Sequence, residues 1–283
     1  MEIDLFLDET GSILNPTEKS VYGFGYVHLP CTATQQLHDI LQDNQLFSMH
    51  LRETLPSEKI TLAQKLGSLN LQLLGIRGGA VIRKDSSHAE DFIRNNLSES
   101  ILDSPHKALT VLDQNTDRRL RGKIVKIDDL FPRIIANSRV MEYLTLATRY
   151  PVFKIIQQYG IDDPLHIKIY LSSIATPKDF HKRLEYIASN YQKQLDEFFK
   201  KGTIAGLFAR NPSSFTKVSV FSAEASEGAF AVADLFGCIG RQLTQEGISN
   251  DNSLGSIMYE AVSALFPEGP THKSELKKGI FVL

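Results

Sequence analysis

Cysteine is scarce in this chain. Cys31 and Cys238 are the only two in 283 residues, too few for a disulfide framework. Neither belongs to a CxxC pair, so zinc-type spacing is missing too. Both read as reduced, core-type cysteines of a cytosolic protein. Long apolar runs are also lacking, and no stretch approaches the length of a membrane span. The opening Met1-Glu2-Ile3-Asp4 is acidic where a secretory signal would be basic. These absences predict a cytoplasmic protein with no membrane partner. Neither sign of charge is in excess: 31 Lys and Arg face 33 Asp and Glu, for a formal net charge of −2. That balance does not support broad, non-specific binding of nucleic acid. It leaves room for a local basic groove, because whole-chain charge says little about one face. There is no phosphate-binding glycine loop and no GxSxG elbow. Gly23-Phe24-Gly25 lies inside a predicted strand and is no nucleotide loop. Internal repeats and low-complexity tracts are absent from the sequence.

What is present is ordinary globular material, 42% hydrophobic and 23% charged. Such a chain can bury a full core as one large domain with insertions, or as one domain with a small helical lobe. Residues 3–8 alternate as a strand, with Ile3, Leu5 and Leu7 on one face and Asp4, Phe6 and Asp8 on the other. Glu9 through Ser12 break the pattern, and Asn15-Pro16 marks a turn. A second strand over 20–28 makes a hairpin with the first. Residues 33–43 and 59–73 read as helices, the latter from a stripe of Leu62, Leu66, Leu69 and Leu73. A strand follows over 75–82, then a helix over 88–103 and a short strand over 108–112. Residues 113–130 read as an exposed polar loop, and 133–159 as mostly helical with a break before Pro151. His166–Leu171 alternate as a strand. Thr176-Pro177 opens a long helix that Gly202 ends. Lys217–Phe221 read as the last strand, 228–244 as a helix, and the chain from 247 as a looser tail with a helix near 253–265. The alternation predicts an α/β protein with a mixed central sheet flanked by helices.

Two acids stand out. Asp8 closes the first strand, where a carboxylate can face solvent without being buried unpaired. Its neighbour Glu9 points to the opposite face unless the chain turns between them. Asp234 is a lone acid in the apolar run Ala231–Phe236, expensive to bury unless paired or bound to a cation. Small residues at Ala229, Ala231, Ala233 and Gly237 would let that helix lie close on a sheet. Each acid also has a plain reading, as a polar strand end and as a solvent-side helix residue. The run Arg118-Arg119-Leu120-Arg121-Gly122-Lys123 could grip phosphates, or be a solvated loop. Lys200-Lys201 suit the C-terminal dipole of their helix and need no further role.

The Phe6–Ser12 segment FLDETGS resembles the FxDESG opening of the domain-of-unknown-function-3800 family, whose fold is similar to ribonuclease H. Phe221–Ser226, followed by Gly228–Leu235, resembles that family's closing strand and its GIQxADL helix. These two motifs carry the resemblance, which extends over most of the chain in element order. It implies one ribonuclease H-like domain over 1–283, with insertions at about 30–75 and 85–165. It also implies a divalent-metal site with Asp8 on the first strand and Asp234 on the last helix as ligands. Mg²⁺ or Mn²⁺ so held would serve a metal-dependent nuclease or phosphodiesterase acting on nucleic acid. The family's further acid closes a middle strand. Here His166–Leu171 ends in Ser172-Ser173, whereas Asp113 supplies the acid if 108–112 is the equivalent strand. Glu9 and Glu227 are additional candidate ligands. Ser48-Met49-His50 and Arg52-Glu53 lie in about the region where the family carries a polar, histidine-bearing segment, although His50 reads better as an ordinary surface residue. Because Ser172-Ser173 leave the carboxylate set incomplete, the alternative is a catalytically impaired scaffold that binds nucleic acid or a protein partner.

Overall fold

The computed structural model describes residues 1–11, 21–46, 51, 54–83, 150–159, 164–172, 216–223, 228–246, 252–267 and 275–282. These form an α/β architecture around a seven-stranded mixed sheet flanked by helices. Strand β1 (Glu2–Thr10) pairs antiparallel with β2 (Tyr22–Pro30) and parallel with β4 (Leu165–Ser172). β2 pairs antiparallel with β3 (Arg77–Arg83), and β5 (Thr216–Ala223) lies parallel beside β4. Two short strands, β6 (Glu275–Lys277) and β7 (Ile280–Val282), finish the far edge, where β7 lies parallel to β3. The order across the sheet is β5-β4-β1-β2-β3-β7-β6, so β1 is an interior strand, third from the β5 edge.

The hairpin expected between the first two strands is present. Residues 217–221 are not the last strand, however, because β6 and β7 follow. Three-residue strands carry no readable alternation, and their place comes from pairing with β3. The helix expected over 59–73 is also shifted. Helix α2 runs Pro56–Gly67, with proline in its first turn and the Glu58 carboxylate accepting from the Leu55 amide at 3.2 Å. Asn70 adopts φ 51°, a short 3₁₀ turn covers Leu71–Leu74, and Leu73 is 81% exposed rather than part of an apolar stripe. The strand at 108–112, the polar loop at 113–130, and the helices at 88–103 and 176–201 lie outside the described residues.

Alternation gives the sheet two unlike faces. One carries Asp4, Phe6, Asp8 and Thr10 of β1, and helix α3 (Gly228–Glu246) packs on it. Helix α1 (Thr34–Asp43) leans on α3, and α4 (Leu254–Ala261) packs between α2 and α3. Phe230, Leu235, Phe236 and Ile239 of α3 join Phe6, Val27, Ala80 and Ile82 in the main core. Among the described residues, no helix is long and apolar enough to cross a membrane. Cys31 and Cys238 are both free thiols, as expected, and Cys238 is buried.

The other face carries Ile3, Leu5 and Leu7 with Tyr26 and His28, and the helical stretch 150–159 covers part of it. Lys154 from that stretch faces Glu275 of β6 at 2.8 Å, with side chains 1% and 0% exposed. The contact is an ion pair rather than an aligned hydrogen bond. His28 is fully buried edge-on to Tyr159, and among the described residues neither ring nitrogen has a hydrogen-bond partner. Burial first, and the Arg77 guanidinium second, hold its pKa down to about 3. A histidine depressed in the folded state contributes full stability above its unfolded pKa of 6.5. That contribution drains as pH falls from there towards 3, at about 1.4 kcal/mol per pH unit. Between pH 6.5 and pH 5, His28→Phe should therefore lose about 2 kcal/mol less than the parent protein. Urea unfolding at the two pH values reads the difference, and equal losses would contradict it.

Candidate functional site

The C-terminal end of β1 delivers Asp8 to the face beneath α3. Its antiparallel partner across the hairpin is Gly25. Paired residues of this kind hold their Cα atoms roughly 4.5–5.5 Å apart. Gly25 has no side chain, and α3 uses the gap: a Cβ there would collide with the Ala233 carbonyl oxygen and the Gly237 amide. One turn along the helix, a Cβ on Gly237 would press on the Gly25 nitrogen and on Thr10 at 3.0 Å. The small residues seen in the sequence thus seat α3 main chain against main chain, beside Asp8. Asp234 follows Ala233 directly on the same turn of α3.

Both acids are half-buried and oriented by the fold. Asp8 Oδ1 accepts from the Ser172 hydroxyl at 2.6 Å and from the Glu9 amide at 2.9 Å. Asp234 Oδ2 accepts from the backbone amide of Leu51 at 3.0 Å. That bond ties the connection between α1 and α2 to the last long helix. It also brings a main-chain donor from next to His50 in the sequence, although His50 itself lies outside the described residues. Nothing in the composition around Leu51 signals this contact, since a backbone amide has no sequence signature.

The remaining candidates divide. β1 continues as strand through Thr10, so Asp8 and Glu9 leave opposite faces, with Glu9 registered against Phe24. Glu9 does not share the face of Asp8, and the turn that would have brought it round begins only at Gly11 (φ 77°). Asp113, Glu227 and the basic residues Arg118, Arg119, Arg121 and Lys123 lie outside the described residues. Ser172 is where the parallel pairing of β4 with β1 puts a middle-strand side chain beside Asp8, and it is 4% exposed. Among the described residues, no group of three or more His, Cys, Asp or Glu side chains is arranged to hold a metal ion. What remains are two carboxylates on elements that share one face of the sheet, Asp8 on β1 with the Ser172 hydroxyl against it and Asp234 on α3. Two carboxylates suit a magnesium-like ion, which is bound through one or two of them and otherwise keeps waters or substrate oxygens.

Neither the comparison with protein-family models nor the search of curated proteins finds a match to this chain.

Proposed function

We infer that this chain is a ribonuclease H-like, metal-dependent nuclease or phosphodiesterase, with Asp8 and Asp234 as the ligands of Mg²⁺ or Mn²⁺. One observation carries the reading. The helix bearing Asp234 lies on the same face of the sheet as Asp8, its main chain against Gly25, the cross-strand partner of Asp8. When bound, such an ion would supply an acidified water and offset charge on a phosphodiester. The chain's own part is to hold the two carboxylates in fixed orientations. The Ser172 hydroxyl and Glu9 amide do this for Asp8, and the Leu51 amide does it for Asp234. Two carboxylates support one ion. A two-ion clamp would need a further acid, for which Asp113 is the sequence candidate.

The serine also favours a second reading, in which the fold is a scaffold for nucleic acid or a protein partner without catalysis. A neutral hydroxyl occupies the place beside Asp8 where a third acid was sought. Calorimetry with Mn²⁺ separates the two. The nuclease reading expects stoichiometric binding by the intact protein, weakened roughly 10–100-fold by Ser172→Ala through loss of the outer-shell bond. Absence of Mn²⁺ binding would reject the nuclease and leave the scaffold.

A further inference from the structure

We propose that Phe221, backed by Tyr170, forms a stacking platform for an unpaired nucleobase at the outer edge of the sheet face that carries Asp8, so that the substrate is a single-stranded nucleic acid. This rests on the nuclease reading above and adds a substrate class to it.

Cross-strand register lines up Val27, Phe6, Tyr170 and Phe221 as one row on the Asp8 face. Phe6 stacks on Tyr170 at 4.8 Å between ring centroids, and Tyr170 stacks on Phe221 at 5.3 Å with the planes 24° apart. The inner end of the row is sealed: Phe6 is 1% exposed and meets the Phe230 ring of α3 edge-on at 5.3 Å. Among the described residues the outer end is open. α3 packs on β1, β2 and β3, and among the described helices none packs broadly on β4 or β5. Phe221 is 44% exposed on the edge strand β5, and among the described residues it is the one aromatic side chain that is exposed rather than buried or half-buried.

An exposed aromatic on an edge strand is a liability for a protein that has no use for it. Its surroundings are those a nucleotide needs. Two residues further along each strand lies the next row on the same face, which holds Asp8 and Ser172 in contact. Successive same-face residues are roughly 6.5–7 Å apart along a strand, a span that one sugar bridges between a base and its phosphate. A base on the exposed face of Phe221 would thus present its phosphate towards Ala223, the outer end of the row that holds Ser172 and Asp8. In the opposite direction, exposed Lys217 lies four residues before Phe221 on the same face, a cation for a neighbouring phosphate. Stacking accepts any base with a free π-face, and a base inside a duplex has none to offer.

The chain contains no tryptophan. Phe221→Trp therefore installs a single fluorescent reporter at the platform. The probes are short oligothymidylate and oligouridylate strands and their base-paired duplexes, with Ca²⁺ in place of Mg²⁺ to suppress cleavage. The expected result is quenching of Phe221→Trp emission by the single strands and not by the duplexes. In parallel, Phe221→Ala should bind the single strands roughly 5- to 100-fold more weakly by fluorescence anisotropy, and Phe221→Tyr should restore binding. Circular dichroism melts verify that each variant is folded. If the parent binds single strands and Phe221→Ala binds them equally well, the platform is wrong while the nuclease reading stands. Duplexes bound as tightly as single strands would overturn the substrate class. A parent that neither binds nor cleaves any of these strands would overturn both readings. Self-association lost in Phe221→Ala, without any binding of strands, would assign the patch to a second copy and also overturn the proposal.

Discussion

Exchange of Asp8 for asparagine is expected, on the proposed nuclease function, to reduce Mg²⁺-dependent cleavage by at least about a thousandfold. The metal's charge stabilisation of a phosphoryl transition state is worth several kcal/mol, and each 1.4 kcal/mol is a factor of ten in rate. Asparagine has nearly the same shape, and its carbonyl oxygen can still accept from the Ser172 hydroxyl and the Glu9 amide, the two donors that hold Asp8 Oδ1. The negative charge is what disappears. The fold should therefore survive, with a melting temperature close to the parent's. A cleavage assay with and without Mg²⁺, alongside a thermal melt, separates loss of the ligand from loss of structure. Parent-like cleavage by folded Asp8→Asn would remove Asp8 from the site.

Lys154→Met is expected to destabilise the protein by about 3–5 kcal/mol, the usual consequence of removing one partner of a buried ion pair. The ammonium lies 2.8 Å from Glu275 Oε1, and neither side chain reaches solvent. It also sits 5.6 Å from the centre of the Phe281 ring, so the pair ties the stretch 150–159 to both β6 and β7. Methionine keeps the packing on Phe281 and leaves the carboxylate without the charge that faces it. Pairing the change with Glu275→Leu should recover most of the loss, because well-packed apolar residues often replace a buried pair at little net change. Urea unfolding of the two single variants and the double variant tests this. A single variant within about 1 kcal/mol of the parent would contradict it.

How legible the site was in the sequence depended on the range of the interaction. Asp8 could be placed on a face because Ile3, Leu5 and Leu7 alternate strictly with Asp4 and Phe6, and β1 keeps that alternation through Thr10. The close seating of α3 could be anticipated from Ala233 and Gly237, since only small residues allow main chains to touch. The partners of the acids could not be read. Ser172 reaches Asp8 across 164 positions of sequence, and Leu51 reaches Asp234 across 183. Both contacts follow from which strand lies beside β1 and which connection lies over α3, and no local pattern encodes either. Strands β6 and β7 were missed for a related reason, being too short to show a period before β3 pairs with them. Glu9 was an open question that strand geometry answers, because the left-handed residue that turns the chain is Gly11, two positions too late.

The contact between Gly25 and the Ala233–Gly237 turn has a consequence for how such a site tolerates change. At this point the separation between α3 and β2, the strand next to that of Asp8, is governed by peptide groups meeting peptide groups, not by the girth of packed side chains. Neighbouring core residues can swap methyl groups without prising the acids apart. Sensitivity is concentrated instead at the handful of positions that must stay bare. There a single added carbon would act as a wedge, lifting the helix and its aspartate off the sheet.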